Sequence, residues 1–179
     1  MQTVCGRTRP DWEIVALDRT LHLLFWPAAG VFCIDQLTKL FVASHIGPFQ
    51  SIEVIPGFLN LVHIHNRGMA FGLMNRPGHP LPFILLTAIS LVVMGILILW
   101  YLKVQDKTLL HGLGSSLILG GTAGNVMDRL RLGKVVDFLD FYIGKFHWPA
   151  FNIADASITI GTCLLAIYVI MAHRSSNVS

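Results

Sequence analysis

Charge is scarce in this 179-residue chain. Only 13% of its residues are charged, against about 25% in a soluble domain, while 54% are hydrophobic and the mean hydropathy is +0.64. That imbalance excludes an ordinary soluble fold and indicates a membrane protein, long enough for one domain of several spans. The net charge of +3 is small and spread out, with no Lys/Arg run. No nucleic-acid partner is expected. Cysteine is nearly absent. Cys5, Cys33 and Cys163 are odd in number and far apart, which excludes a disulfide framework and a metal knuckle. Cys33 and Cys163 read as small buried apolar residues. Cys5 has no apolar region before it, which argues against a lipid-attachment cysteine. A cleaved leader is not expected either, because the first 20 residues are mixed and charged.

What the chain does have is long apolar runs. Residues 21–44, 81–102, 109–128 and 153–172 are candidate spans. The second has 22 uncharged residues, about 33 Å of helix, enough to cross the hydrocarbon core. The third repeats small residues at Gly112, Ser116, Gly120 and Gly124, a smooth stripe against which a neighbouring helix can pack. The expected fold is mainly α: a polytopic membrane protein of four transmembrane helices with a small extracytoplasmic β-sheet at the membrane surface. Residues 1–20 read as a polar tail, 21–174 as one membrane domain, and 175–179 as a short carboxyl tail. Four spans put both termini on one side. Lys and Arg outside the spans divide evenly between the two sides, though more densely on the terminus side. That mildly favours cytoplasmic termini.

On the other side lie two larger pieces, 45–80 and 130–152. In the first, Phe58, Asn60, Val62 and Ile64 alternate with Leu59, Leu61, His63 and His65, as strands do. The second carries Phe138, Phe141, Tyr142, Phe146, Trp148 and Phe151, and reads as a loop along the interface.

The topology gathers the polar residues at one membrane face. Asp35 and Lys39 are near the end of the first span. Asn125, Asp128 and Arg129 end the third. Asn66, Arg67 and Asp137 lie in the outer pieces, and Asn152 and Asp155 begin the fourth span. Ionisable groups at membrane depth are functional candidates by default. Asp35 and Lys39 are i, i+4, so they read as an ion pair snorkelling outward, or as a brace for the site. Arg129 can bind a carbonyl or carboxylate, or cap its helix. Asn152 can cap the fourth span. Asp140 reads as a solvated interfacial charge. His63 and His65 lack a third ligand at a recognisable spacing, so no metal is expected, and no cofactor.

Asp137 is flanked by Val135, Val136, Phe138 and Leu139, and Asp155 opens an apolar helix. Facing one pocket, the two could not easily both ionise: one would keep a proton while the other stays charged. Aspartic peptide hydrolysis needs such a pair. A small proton- or ion-coupled transporter would use the same residues, and Asp128 competes with Asp137 on geometry alone.

Four motifs carry a resemblance: DQLTK at 35–39, NRGMAFGL at 66–73, GGTAGNVMDRLRLGKVVDF at 120–138 and FNIADASITIG at 151–161. In this order and spacing they resemble lipoprotein signal peptidase, the bacterial signal peptidase II family. The resemblance implies an inner-membrane aspartic endopeptidase with cytoplasmic termini and a site near the periplasmic face. It implies a prolipoprotein bearing diacylglyceryl-cysteine as substrate, cut before that cysteine, with membrane lipid around it and globomycin-type peptides as inhibitors. It implies Asp137 and Asp155 as the catalytic dyad, with Asn66, Asn125, Arg129 and Asn152 lining the site and Asp35 and Lys39 supporting it. Residues 1–20 lie outside it.

Overall fold

The computed structural model describes residues 11–66, 81–104 and 108–176. Cys5 and most of the NRGMAFGL motif, Arg67 included, lie outside the described residues. The described residues form four long helices: α1 (Asp11–His45), α2 (Leu81–Lys103), α3 (Leu109–Leu132) and α4 (Ile153–Ser176). α1 begins at Asp11, so half of the expected polar tail is helical backbone. Pro27 lies inside it and supplies no N–H to its turn.

Three stretches of the described helices are long and apolar enough to cross a membrane: Leu21–His45, Phe83–Lys103 and Ile153–Arg174. α3 has the length but is rich in glycine, serine and polar residues. The reason lies in its neighbours. α3 packs against α1, α2 and α4, so it meets other helices on most sides and has least need of an apolar surface. Around it the large apolar side chains of the other helices point outward: Phe25, Trp26, Leu37 and Phe41 on α1, Ile89, Val92 and Ile96 on α2, and Ile160, Ile170 and Met171 on α4 are all exposed. Cys33 and Cys163 are exposed on the same outer surfaces rather than buried.

Glycines set the spacing inside. A Cβ at Gly112 would run into Leu23, one at Gly120 into Ala28 and Val31, and one at Gly124 into the Asp35 carboxylate, all on α1. This is the expected small-residue stripe. A second face was not expected: Gly114 and Gly121 are pressed equally hard against Gly161, Leu165, Ala154 and Ile158 of α4. At the α2–α3 end, His111 is fully buried against the rings of Trp100, Tyr101 and Tyr168.

At the opposite end sits a four-stranded sheet, in the order β1 (Ser51–Ile55), β2 (Leu59–Asn66), β3 (Val135–Ile143), β4 (Phe146–His147). The piece expected as an interfacial loop therefore carries two strands, β3 and β4. β3 pairs antiparallel with both β2 and β4. Its aromatics hid it, because apolar residues occupy both faces and the period-2 signal is lost. Val42 and Ile46 at the end of α1 pack on Phe138 of β3, with Leu61, Leu139 and Ile153 around them. This cluster anchors the sheet over the carboxyl end of α1 and the amino end of α4.

The strict alternation expected in β2 fails in its middle, where Val62 and His63 are both buried. Leu61 pairs with Leu139 but Ile64 pairs with Asp137, so β2 holds one extra residue between them. Such a bulge reverses which side chains share a face. Before it, the odd residues of β2 lie on the Asp137 face. After it, Ile64 and Asn66 do.

Candidate active site

Each acid is delivered by a different element. Asp137 is the third residue of β3, and Asp155 is in the first turn of α4. Asn152 starts α4 as its cap: its Oδ1 accepts from Asp155 N at 3.0 Å, while its own N donates to Asp155 Oδ2 at 3.2 Å. This is the reciprocal arrangement of a capping box, which satisfies two helix-end donors. The Asn152 amide then donates to Asp137 Oδ1 at 2.8 Å. One asparagine thus holds both carboxyl groups.

Asn125, facing inward from α3, holds Asp155 from the other side and joins Asn152 to Lys39. It donates to Asp155 Oδ1 at 2.8 Å, and its oxygen accepts from Asn152 at 3.3 Å and from Lys39 Nζ at 3.1 Å. Asn66, turned onto this face by the bulge, donates to Asp137 Oδ2 at 3.0 Å. Arg129 interacts electrostatically with Asp155, Asp128 and Asp137. The helix carboxyl end is capped by Gly133, at φ +66°, whose N–H donates to Arg129 O.

Asp35 and Lys39 pair at 2.8 Å as the i, i+4 spacing suggests. They do not snorkel outward, however. Lys39 is 3% exposed and Asp35 is fully buried. Both face α3, where Lys39 also bridges to Asp128 at 2.8 Å. The inward turn follows from the small residue at Gly124, which leaves room for the Asp35 carboxylate. Asp35 Oδ1 accepts from Ala154 N at 2.9 Å, in the first turn of α4. Asp128 accepts from Val136 N at 3.3 Å, so it ties α1 and α3 to the strand carrying Asp137. These bonds commit Asp128 to structure.

Gln36 was missed from the sequence. Its amide reaches Asp35, Asp128 and Gly124 O. Its only signal was its place next to Asp35. Asp140, expected to be solvated, is 8% exposed; it accepts from Asn60 and pairs with His147 at 2.9 Å. Among the described residues, no group of three His, Cys, Asp or Glu is placed to hold a metal ion.

The electrostatics of Asp137 follow from this geometry. Burial, and then the charge of Asp155, push its carboxyl up from 3.8 to about 7; hydrogen bonds from Asn66 and Asn152, and the Lys39 charge, pull the other way. A neutral acid beside a carboxylate suits proton transfer in both directions near neutral pH.

Residues 28–171 match the family model for signal peptidase (SPase) II. This chain belongs to the signal peptidase II family. It is similar to the lipoprotein signal peptidase of Syntrophus aciditrophicus (strain SB), with 41% identity over 158 residues, 87% of this chain and 97% of that one. The lipoprotein signal peptidase of Desulforapulum autotrophicum is 46% identical over 155 residues, 85% and 94% of the two chains. A solved bacterial membrane enzyme, determined by the in meso method at 1.9 Å resolution, superposes with a TM-score of 0.72 at 32% identity, covering 86% of this chain and 93% of that one. With three apolar helices of spanning length, the chain is a membrane-embedded peptidase. Nothing in these matches supports a transporter.

Proposed function

We propose that this signal peptidase II family member removes the signal peptide of diacylglyceryl-modified prolipoproteins, cutting before the lipidated cysteine, with Asp137 and Asp155 as its catalytic dyad. The observation that carries the reading is that Asn152 bonds both acids while Asn125 holds Asp155 from α3, with Asp137 raised to about 7. Asp137 acts first as the acid and Asp155 as the base, the Asp155 carboxylate being held by the Asn125 amide of α3 and the Asn152 N–H at the start of α4, where negative charge is favoured. Asp155 takes a proton from water as the water oxygen attacks the scissile carbonyl. Asp137 gives its proton to the carbonyl oxygen. As the tetrahedral intermediate collapses, Asp155 returns its proton to the leaving amine, and Asp137 recovers one from the collapsing hydroxyl. Asn66 and Asn152 keep Asp137 in place through this exchange, and Arg129 offers its charge to a substrate carbonyl. Asp35, Lys39 and Asp128 lock α1, α3 and α4 beneath the pair.

In this reading α3 is a fourth span, shielded from lipid by its neighbours. Residues 1–20 form a cytoplasmic tail before a single domain at 21–174, and both termini face the cytoplasm of a bacterial inner membrane. The sheet lies at the outer face. There the acyl chains of the substrate cysteine stay in lipid and hold the scissile bond at the depth of the dyad. Globomycin-type peptides inhibit by occupying this site.

The test is cleavage of a diacylglyceryl prolipoprotein by purified protein in detergent. Asp137→Asn and Asp155→Asn are each expected to lose about 10²–10⁴-fold in rate. Wild-type cleavage by either variant removes the dyad.

A further inference from the structure

A second hydrogen-bonded run lies beside the site. Lys134, between the α3 cap and β3, places Nζ 3.1 Å from His65 Nδ1. His65 Nε2 lies 3.0 Å from His63 Nε2, and His63 Nδ1 lies 2.7 Å from Ile46 O. An ammonium only donates and a carbonyl only accepts. Those two ends assign the protons between them. Lys134 donates to His65 Nδ1, His65 Nε2–H donates to His63 Nε2, and His63 Nδ1–H donates to Ile46 O. Both imidazoles are neutral, each in the opposite tautomer.

The run joins three pieces of chain: the end of α1, β2, and the α3–β3 connection. Phe49 closes over His65 edge-on, and its N–H donates to His63 O. His63 lies within the bulge of β2, where regular pairing is interrupted. Asn66 is the last residue of that strand, one beyond His65. Left to the ladder alone, a strand end beside a bulge opens easily. The staple of Lys134, His65 and His63 spans this weak point.

We propose that His65 is a positioning residue for peptide cleavage: clamped between Lys134 and His63, it pins the end of β2 so that Asn66 stays on Asp137. This rests on the dyad reading above. His65 does not itself touch the reacting atoms. Its effect passes through Asn66, whose bond to Asp137 is one of the contacts that lower the pKa of that acid. Asp137 also faces Asp155 from α4, Lys39 from α1 and Arg129 from α3. A change at His65 leaves those three in place, so a shift of the pH profile reports on Asn66.

The test is kcat, KM and the pH–rate profile of the full chain in detergent with a diacylglyceryl prolipoprotein. His65→Ala is expected to lower kcat about 10- to 100-fold with little change in KM. It is also expected to move the limb that follows Asp137 to higher pH. In His65→Gln the side-chain oxygen can accept from Lys134 and the amide can donate to His63, so rate and profile are expected to return. Lys134→Met cuts the run from its other end and should act in the same direction as His65→Ala, which keeps the test open if His65→Ala does not fold. A wild-type pH profile in His65→Ala, or a His65→Gln as impaired as His65→Ala, overturns the positioning role. Asp137→Asn is assayed beside them: an active Asp137→Asn overturns the dyad, whereas an inactive one beside a normal His65→Ala overturns the positioning role alone.

Discussion

Asn152 and Asp155 hydrogen-bond each other twice, backbone to side chain in both directions, at 3.0 and 3.2 Å. The bond that starts α4 is therefore also the bond that aims one of the two acids. Asn152→Ala should lose a helix cap, worth about 1 kcal/mol, together with the amide that reaches Asp137 at 2.8 Å. Asn152→Asp keeps a good cap but turns that donor into an acceptor beside Asp137. Thermal unfolding in detergent is expected to fall for Asn152→Ala and to change less for Asn152→Asp. Cleavage is expected to drop about 100-fold or more in both. An active Asn152→Asp would mean that the amide has no role beyond capping.

Lys39 places its positive charge between Asp35 and Asp128. All three side chains are almost wholly buried. Removing one member of such a group leaves the others unpaired, at a cost of about 3–5 kcal/mol. Lys39→Met is expected to lower the unfolding temperature sharply and to abolish cleavage. The triple change Lys39→Met, Asp35→Asn, Asp128→Asn removes the stranded charges as well. It should recover much of the stability, which a denaturation series in detergent reads directly.

The parts of this molecule that were legible in the sequence are those set by local chemistry. The uncharged run of α2 reads as a helix by itself, and the polar residues of the site collect at one end because antiparallel helices must put them there. The strand β3 was not legible, since Phe138, Phe141 and Tyr142 make both of its faces apolar. Nor was the bulge in β2: one extra residue leaves no trace in the alternation of neighbouring side chains, yet it decides whether Asn66 faces Asp137. The inward turn of Lys39 depends on Asn125 and Asp128, 86 and 89 positions away, and on the open space at Gly124. The choice of Asp137 over Asp128 came from resemblance. In the structure Asp128 is committed to Lys39 and Val136 N.

The raised pKa of Asp137 makes a stability prediction with a definite sign. Its carboxyl rises from 3.8 to about 7, with burial and then Asp155 as the main causes. A carboxyl raised in the fold favours the folded state at low pH, where it is protonated in both states. That contribution declines as pH rises from about 4 and is gone above about 7, a tenfold change in proton affinity being worth about 1.4 kcal/mol. Asp137→Asn is neutral at every pH. Its unfolding temperature is expected to match wild type near pH 4, to exceed it increasingly up to about pH 7 and to stay above it beyond, while cleavage is lost. A gap independent of pH would mean that Asp137 is not the raised acid.

The glycine faces of α3 give a last prediction, in which packing and catalysis are tested together. A Cβ at Gly121 would strike the Ala154 carbonyl and Ile158 of α4. Ala154 precedes Asp155 and donates its N–H to Asp35, so it cannot give way without moving the acid. Gly95, on the exposed side of α2, has nothing within 4 Å of the same atom. Overpacking a tight contact costs about 1–3 kcal/mol, and a shift of about 1 Å at a reacting group costs about 100-fold in rate. Gly121→Ala is therefore expected to lose most of its activity with a modest fall in unfolding temperature. Gly95→Ala should match wild type in both. If Gly121→Ala loses stability but cleaves normally, then the first turn of α4 adjusts without carrying Asp155 along, and the acid is held by Asn125 and Asn152 alone.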